Sequence, residues 1–194
     1  MPLKPRIVIL ISGRGTNMEA IVKAIGDGEL AADVLFVGSD RPGARGLETA
    51  KSFGLPTQVF YYKRDGREAA EAALAKSLEE SKCDWIVLAG FMRILSPAFV
   101  HRFAGRIVNI HPAILPSFPG AHGIQDAWDY GVKLTGVTVH IVDDQVDHGP
   151  ILAQECVRRE PEDTIETLEA KIHAVEHKIY KAALKDLFAK HPIN

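Results

Sequence analysis

The chain has 194 residues, of which 46% are hydrophobic and 25% charged, and its formal net charge is -2. This length supports one sizeable hydrophobic core, so we expect a single globular domain spanning residues 1–194. A charge this close to neutral, without an arginine-rich or aromatic-interleaved segment, excludes the general basic field that attracts nucleic acid. We therefore expect no nucleic-acid partner.

The cysteines and the N-terminus indicate a reducing compartment. Cys83 and Cys156 match no metal or redox spacing, so we expect two free thiols. The apolar run over residues 7–11 is too short for the hydrophobic region of a signal peptide, and no run approaches the roughly 18 apolar residues of a membrane span. We expect a cytoplasmic protein without membrane contact, present as a monomer or a homodimer.

Strands and helices are predicted to alternate in the first part of the chain. Residues 6–12 are continuously apolar, which is typical of a strand buried on both faces of a parallel sheet. Thr16-Asn-Met-Glu19 has the spacing of a capping box, so a helix should start there and end near Gly26 or Gly28. Further strands are predicted over 34–37, 57–60, 85–89 and 106–110. Further helices are predicted over 44–53, over about 65–80 with Asp65 and Glu68 as the capping residues, and from Ser96-Pro97 onwards.

The pattern changes after Gly120. A helix is predicted over 124–130 and strands over 134–142 and 151–157, joined by a long loop. The final helix is predicted to begin at Asp163-Thr-Ile-Glu166, with one apolar stripe formed by Ile165, Leu168, Ile172, Val175 and Ile179. These elements predict an α/β fold: a doubly wound, mostly parallel twisted sheet flanked by helices, with an antiparallel C-terminal part.

A candidate catalytic segment covers residues 106–120. Asn109 and His111 are two residues apart, so on an extended strand their side chains point to the same face. Pro112 favours an extended His111 and helps to stiffen the loop that follows. Asp147, in the long later loop, can reach the same sheet edge, where a carboxylate favours a protonated imidazole. Structural roles for all three, including an Asx-turn at Asp147, remain alternatives at this point.

No G-x-S-x-G nucleophile turn occurs in the sequence, so acyl transfer without a covalent intermediate fits better than a serine hydrolase. The turn Ser12-Gly-Arg-Gly15-Thr-Asn17 precedes a predicted helix, whose free N–H groups favour a phosphate. An ordinary glycine turn is the alternative. A dinucleotide site fits poorly, because Met18 occupies the third glycine position of G-x-G-x-x-G, although Asp40 stands where a ribose-binding acid would.

His173-Ala-Val-Glu176-His177 matches H-x-x-E-H, the inverted zinc-peptidase motif, with both histidines on one helix face. Zinc needs a third protein ligand, and Asp186 is the sole acid downstream. We therefore expect no metal. A charged flank on an amphipathic helix is the alternative interpretation of this motif.

Three segments in this order, 88–95, 109–116 and 147–150, resemble the motifs of the folate-dependent formyltransferases, and the likeness runs from the first strand to the last helix. Within that family the chain resembles the branch that formylates glycinamide ribonucleotide in purine synthesis. The resemblance implies a Rossmann-like formyltransferase fold and a one-carbon transferase that uses 10-formyltetrahydrofolate as formyl donor.

The resemblance also implies roles for individual residues. The catalytic residues would be Asn109, His111 and Asp147. Glycinamide ribonucleotide would be bound through its phosphate by Gly15, Thr16 and Asn17, and at its glycinamide end by His173, Ala174, Val175 and Glu176. The folate would contact Arg67, Met92, Arg93, Ile94, Leu95, Asn109, Asp143, Asp144, Gln145, Val146 and Asp147. A nucleotide-phosphate half then covers about residues 1–100, and a folate-binding and catalytic half about 85–194.

The chain departs from its relatives at four positions. Ala113 stands where serine is common, Ser117 where some relatives have a basic residue, His173 where some have an amide, and Lys181 where many have proline. The alternatives are 10-formyltetrahydrofolate hydrolase and a tRNA-formylating relative, both expected to be longer chains with an extra domain. A non-catalytic nucleotide-binding module is a further alternative, but it leaves the later motifs unexplained.

Overall fold

The structure is a computed structural model that describes residues 3–192. Its strands are β1 (Arg6–Ile11), β2 (Asp33–Ser39), β3 (Thr57–Val59), β4 (Trp85–Leu88), β5 (Ile107–His111), β6 (Leu134–Ile141) and β7 (Ile151–Arg158). Its helices are α1 (Thr16–Gly26), α2 (Arg45–Ser52), α3 (Tyr62–Glu80), α4 (Pro97–Arg102), α5 (Gly123–Tyr130) and α6 (Ile165–Lys190). The order of the elements confirms the predicted alternation.

All seven strands lie in one sheet, in the order β3-β2-β1-β4-β5-β6-β7. Strands β1 to β5 are parallel, whereas β6 runs antiparallel to β5, and β7 antiparallel to β6. The predicted fold class is therefore confirmed, including the antiparallel C-terminal part. Since the chain continues from β1 to one side and later adds β4 on the other, a crevice opens between the carboxyl ends of β1 and β4, where open α/β sheets bind ligands.

The sheet is covered on both faces, which explains the continuous apolar run of β1. Ile7, Ile9 and Ile11 are buried in the core that the sheet shares with α1, α2 and α6. Val8 and Leu10 point to the opposite face, into a second core shared with α3 and α4. All five side chains are 0% exposed, so neither face of this strand can carry a polar residue without a partner.

The first helix begins differently from the prediction. Thr16 is not a cap: the N-cap is Gly15, with a left-handed backbone at φ 75°, and no side chain caps the helix. A Cβ at Gly15 would lie 2.9 Å from the Cα of Gly46 in the first turn of α2, so the close approach of that turn selects glycine here. The capping box at Thr16 and Glu19 was wrong because this packing lies outside the local sequence.

Two further helix starts also differ from the prediction. Asp65 does not cap α3, which already begins at Tyr62 and has a kink at Gly66; its carboxylate instead accepts hydrogen bonds from Arg64. Helix α6 is capped by Thr164 rather than Asp163.

The cap of α6 is a reciprocal one, because the Thr164 side chain accepts from the Thr167 N–H and the Thr167 hydroxyl accepts from the Thr164 N–H. Asp163 accepts from the Glu160 N–H and from Lys171 instead.

No helix within residues 3–192 is long and apolar enough to cross a membrane.

The predicted start of α4 is confirmed. Ser96 is the N-cap and accepts a hydrogen bond from the Phe99 N–H, while Pro97 occupies the first helical position.

The structure has both cysteines as free thiols, Cys83 buried and Cys156 exposed, and burial raises the pKa of Cys83 to about 12.

Candidate active site

A cavity of about 490 Å³ opens at the carboxyl edge of the sheet. The turn after β1, the segment after β4, the end of β5, the loop between β6 and β7, and one face of α6 all contribute to its wall. It therefore lies at the crevice that the strand order predicts. Its lining includes residues from every predicted site segment except the one containing Arg67.

Asn109, His111 and Asp147 are brought together at this cavity. Asp147 Oδ1 lies 3.4 Å from Asn109 Nδ2, and Asp147 Oδ2 lies 3.4 Å from His111 Nδ1. The backbone of Asp147 is left-handed at φ 51°, and its Oδ2 accepts a 2.7 Å hydrogen bond from the Gly120 N–H. A strained residue held by a loop 27 positions away is consistent with a functional constraint on the carboxylate.

His111 is buried between two acceptors. Its Nε2 donates to the carbonyl oxygen of Phe118 at 2.8 Å, and its Nδ1 faces the carboxylate of Asp147. A neutral imidazole carries only one N–H, so the doubly protonated ring is the form that satisfies both contacts. With only 3% of its surface exposed, His111 has little water available as a substitute partner.

His140, which the sequence analysis did not identify, completes the cluster. It pairs directly opposite Asn109 in the register of β5 and β6. Its Nε2 lies 3.2 Å from Asn109 Nδ2 and 3.6 Å from Asp147 Oδ1, while its Nδ1 donates to the carbonyl oxygen of Ile141. The signal that would have found it is the alternation of Thr138 and His140 with apolar residues along β6, the strand that pairs with β5.

The electrostatics of Asp147 follow from these neighbours. Burial raises the pKa of its carboxyl group more than any other single influence. The contact with His140, the hydrogen bond from the Gly120 N–H and the positive charge of His111 together outweigh that effect and lower the pKa below its usual value. Asp147 is therefore ionised at neutral pH.

The turn after β1 forms one end of the cavity. Gly15, Thr16 and Asn17 all line it, at the N-terminus of α1, where no side chain caps the free backbone N–H groups. Arg14 lies in the same wall. Asn17 is 8% exposed, and its Oδ1 is buried without a hydrogen-bond partner. Free donors, a helix dipole and a nearby guanidinium suit a phosphate group.

The predicted segment on α6 reaches the cavity through its first and last residues. His173 and Glu176 line the wall, whereas Ala174 and Val175 do not. Helical geometry explains this, because positions i and i+3 share a face and the two residues between them point elsewhere. Glu176 is buried, and its Oε2 accepts from Asn17 Nδ2 at 3.2 Å and from His173 Nδ1 at 2.7 Å.

The second histidine of the H-x-x-E-H motif lies apart from these contacts. His177 is partly buried, its Nε2 has no hydrogen-bond partner, and burial lowers its pKa. Within residues 3–192, no group of three or more His, Cys, Asp or Glu side chains has the geometry to hold a metal ion. What the motif contributes to the cavity is one carboxylate, Glu176, and one histidine, His173.

The segment after β4 forms an apolar wall. Met92 and Ile94 are 54% and 62% exposed, whereas Leu95 is buried. Arg93 also lines the cavity, but its Nε donates to Asp40 Oδ2 at 2.6 Å, and the Asp40 side chain is fully buried. The guanidinium of Arg93 is thus partly committed to the protein itself.

Arg67 lies outside the main cavity. It lines an adjoining recess together with Tyr62, Met92, Arg93 and Ile94. Because the last three of these residues line the recess and the main cavity alike, the two share a wall. A ligand in the main cavity can reach Arg67 only by extending past this shared wall.

The apolar wall is anchored by hydrogen bonds that the sequence did not indicate. Ser12 Oγ accepts from the Met92 N–H at 2.8 Å. At the other end, the carboxylate of Glu71 accepts from the Ser96 N–H at 3.0 Å and from the Ser96 hydroxyl. The available signal for Glu71 is an acid at a buried position of α3, visible only once the buried face of that helix is known.

The loop between β6 and β7 forms another part of the cavity wall. Asp143 accepts from the Gln145 N–H at 3.0 Å and pairs with His148 at 2.9 Å. Asp144 lies 3.6 Å from the imidazole of His101 on α4. All five residues of the predicted loop segment line the cavity: Asp143, Asp144, Gln145, Val146 and Asp147.

Comparison with known proteins agrees with this geometry. Residues 5–184 match the family described as formyl transferase, so the chain belongs to the formyl transferase family. It is 37% identical over 183 residues to phosphoribosylglycinamide formyltransferase of Bacillus subtilis, with 94% of each chain covered. The crystal structure of phosphoribosylglycinamide formyltransferase from Bacillus halodurans matches with a TM-score of 0.92 and 46% identity, over 95% of this chain and 96% of that one.

Longer relatives contain a similar segment. The chain is 41% identical over 185 residues to the trifunctional purine biosynthetic protein adenosine-3 of Bos taurus, but it spans only 18% of that protein's length. It therefore corresponds to one part of the trifunctional protein. The resemblance to the folate-dependent formyltransferases that the three sequence motifs indicated is confirmed, and so is the Rossmann-like fold that it implied.

Proposed function

We propose that this protein transfers the formyl group of 10-formyltetrahydrofolate to the glycinamide amine of N1-(5-phosphoribosyl)glycinamide, giving the N2-formyl product in de novo purine biosynthesis. The observation that carries the proposal is the contact of Asp147 with both Asn109 and His111 at the cavity. The resemblance to phosphoribosylglycinamide formyltransferases over nearly the whole chain supports the choice of acceptor.

The two ends of the cavity suit the two substrates. The turn at Gly15, with free N–H groups and Arg14, would hold the phosphate of the nucleotide. The exposed apolar side chains Met92, Ile94 and Val146 would contact the flat ring of the folate. The reacting groups would then meet between these ends, at the catalytic residues.

Asn109 would stabilise the charge that develops on the formyl oxygen. Attack of the amine on the formyl carbon produces a tetrahedral oxyanion, which an N–H donor stabilises best in a site from which water is excluded. Asn109 Nδ2 lies 3.2 Å from His140 Nε2 and 3.4 Å from Asp147 Oδ1, so the contact with Asp147 is the longer of the two. This is the hydrogen bond that we expect Asn109 to exchange for the formyl oxygen. Losing such a donor costs roughly a hundredfold to a thousandfold in rate.

Asp147 and His111 would manage the proton. The nitrogen of the attacking amine must lose a proton as N10 of the folate gains one, and the ionised carboxylate of Asp147 can carry it directly or through a water molecule. His111, held between Asp147 and the Phe118 carbonyl, would place a positive charge beside the oxyanion. General acid–base assistance of this kind contributes about a hundredfold to ten-thousandfold.

The test is formyl transfer by the purified protein, followed through the appearance of deformylated folate when both substrates are present. We expect His111→Ala and Asp147→Ala to lose about a hundredfold or more in kcat. Asp129→Ala, an exposed carboxylate on α5, is the matched control and should retain full activity. Near-normal transfer by the folded His111→Ala and Asp147→Ala variants would contradict the assignment.

Omitting the nucleotide separates the rival activities. A transferase should release deformylated folate only when glycinamide ribonucleotide is present, whereas 10-formyltetrahydrofolate hydrolase would release it without the nucleotide. Binding of the nucleotide with neither reaction would indicate a non-catalytic module. The cytoplasmic location and the monomeric or homodimeric state stay predictions from the sequence.

A further inference from the structure

His173 lies between two carboxylates at the α6 side of the cavity. Its Nδ1 is 2.7 Å from Glu176 Oε2, and its Nε2 is 3.2 Å from Glu169 Oε1. Both contacts are hydrogen bonds only if both ring nitrogens carry a proton, so the geometry selects the imidazolium. The hydrogen bond to Glu176 and, after it, the charges of Glu176 and Glu169 raise the pKa of His173 in spite of its partial burial.

Glu176 has one oxygen committed to the protein and one available to a ligand. Both of its protein donors, Asn17 and His173, reach Oε2. Its Oε1 accepts no hydrogen bond from the residues that the structure describes, and Glu176 lines the cavity while only 4% of its surface is exposed. A buried carboxylate with a free oxygen at a cavity wall is a site for an N–H donor of the ligand.

We propose that His173 is a positioning residue for the nucleophile: by neutralising Glu176, it lets that carboxylate accept a hydrogen bond from the substrate amine without holding the amine as an ammonium ion. This inference rests on the proposed function, since it concerns the amine that attacks the formyl carbon. It also accounts for the H-x-x-E-H segment, of which His173 and Glu176 reach the cavity.

The chemical reason is the lone pair. An amine attacks a formyl carbon only when its nitrogen is unprotonated, and an uncompensated carboxylate in a buried site favours the ammonium form. The imidazolium of His173, in contact with Glu176 Oε2, cancels much of that charge. Where some relatives have an amide at this position, the neutral side chain has no charge to offer.

Other charged groups around α6 leave this arrangement intact. His177 is the next histidine on the helix. Burial lowers its pKa, and the negative charge of Glu19 on α1 opposes that effect. Arg14 lines the cavity on the phosphate side. Carboxylates on the neighbouring elements, none of which forms an ion pair with His173, are Glu19 of α1, Asp126 and Asp129 of α5, and Glu155 of β7.

The pH dependence of kcat tests the proposal, because its acid limb reports ionisations in the complex with bound substrates. His173→Gln keeps a hydrogen-bonding side chain of similar length but removes the charge. With both substrates saturating, we expect its acid limb to move to higher pH by about one unit, so that kcat on the acid side falls about tenfold and changes less above the limb.

A second background makes the test specific. In Glu176→Gln there is no carboxylate to neutralise, so adding His173→Gln should not shift the limb further. An unshifted limb in an active His173→Gln variant, or the same shift in both backgrounds, would overturn the proposal. Loss of activity without any shift of the limb would indicate a merely structural role for His173 and would equally overturn it.

An NMR titration of the imidazole checks the charge without catalysis. The His173 ring, assigned by comparison with His173→Gln, should titrate above 6.5 in the unliganded protein, and Glu169→Gln should lower that pKa. A pKa of 6.5 or less would overturn the proposal even if formyl transfer is observed. Absence of formyl transfer in the unmutated protein, with His173 titrating as expected, would instead locate the failure in the proposed function.

Discussion

At the residue scale, the contacts of His111 in the candidate active site depend on a glycine that belongs to none of the predicted site segments. A Cβ at Gly123, the first residue of α5, would lie 3.1 Å from His111 Nε2 and 3.2 Å from the carbonyl oxygen of Phe118. These are the two partners of the hydrogen bond that orients the imidazole. The absence of a side chain at Gly123 therefore leaves the space in which His111 is held.

We expect Gly123→Ala to lower kcat about tenfold, because a shift of a fraction of an ångström at His111 disturbs its position relative to Asp147. Alanine suits a helical position, so the effect should not be a general loss of folding. Gly26→Ala at the end of α1, where a Cβ would meet no atom within 4 Å, is the matched control. Steady-state kinetics and a thermal melt of both variants suffice; an unchanged kcat in Gly123→Ala would contradict the prediction.

At the element scale, the segment between β4 and α4 is a wall supported from behind by buried carboxylates. Asp40 at the end of β2 pairs with Arg93, and Glu71 on α3 accepts both hydrogen bonds from Ser96. Ile94 lies between these two anchors, and Met92 directly precedes Arg93 and is itself held through its N–H by Ser12. Both side chains can therefore remain exposed to the cavity. The position of the apolar wall is thus determined by side chains that do not themselves line the cavity.

Glu71→Gln should loosen this wall. The amide replaces one acceptor oxygen by a donor, which leaves Ser96 with an unsatisfied contact and costs about 1–3 kcal/mol of folding stability. We expect the KM for 10-formyltetrahydrofolate to rise about tenfold with a smaller change in the KM for glycinamide ribonucleotide. Glu68→Gln, an exposed carboxylate on the same helix, should change neither. Equal increases in both KM values would argue against a specific role of the apolar wall in binding the folate.

At the scale of the whole molecule, α6 packs across the sheet, from the helix that follows the parallel strand β1 to the antiparallel strands β6 and β7. Its first turn is tied by Asp163, which accepts from Lys171 at 2.7 Å, from the Glu160 N–H and from the Thr167 hydroxyl. The hydrogen bond from Lys171, followed by that from Glu160, lowers the pKa of Asp163 to about 2.

This lowered pKa predicts the direction of acid sensitivity. A carboxyl group whose pKa is lower in the folded than in the unfolded chain stabilises the fold above its unfolded pKa of about 4, and that contribution disappears as the pH falls towards 2. The urea concentration at the midpoint of unfolding should therefore decrease as the pH is lowered from about 4 to about 2. Asp163→Asn should lower the midpoint at neutral pH and flatten this part of the curve, whereas Asp129→Asn should leave the curve unchanged. An Asp163→Asn curve as steep as that of the unmutated protein would refute the prediction.

Much of the fold was predictable because its signals are local. The apolar run of β1, the Ser96-Pro97 start of α4 and the two-residue spacing of Asn109 and His111 each depend on a few neighbouring residues. The N-caps Gly15 and Thr164 each lie one residue away from the predicted caps, Thr16 and Asp163. At Gly15 the deciding contact is Gly46, which follows the next strand and leaves no trace in the local pattern.

The sequence by itself determined the alternation of strands and helices, the family to which the chain belongs, and the residues Asn109, His111 and Asp147 as candidates. Only the tertiary structure placed His140 opposite Asn109, joined Asp40 to Arg93 and brought Asn17 to Glu176, 159 positions apart. The physical reason is range: periodicity and capping act over one or two turns of backbone, whereas register and close packing between distant elements depend on the whole core. The cavity and its charges are products of that long-range packing.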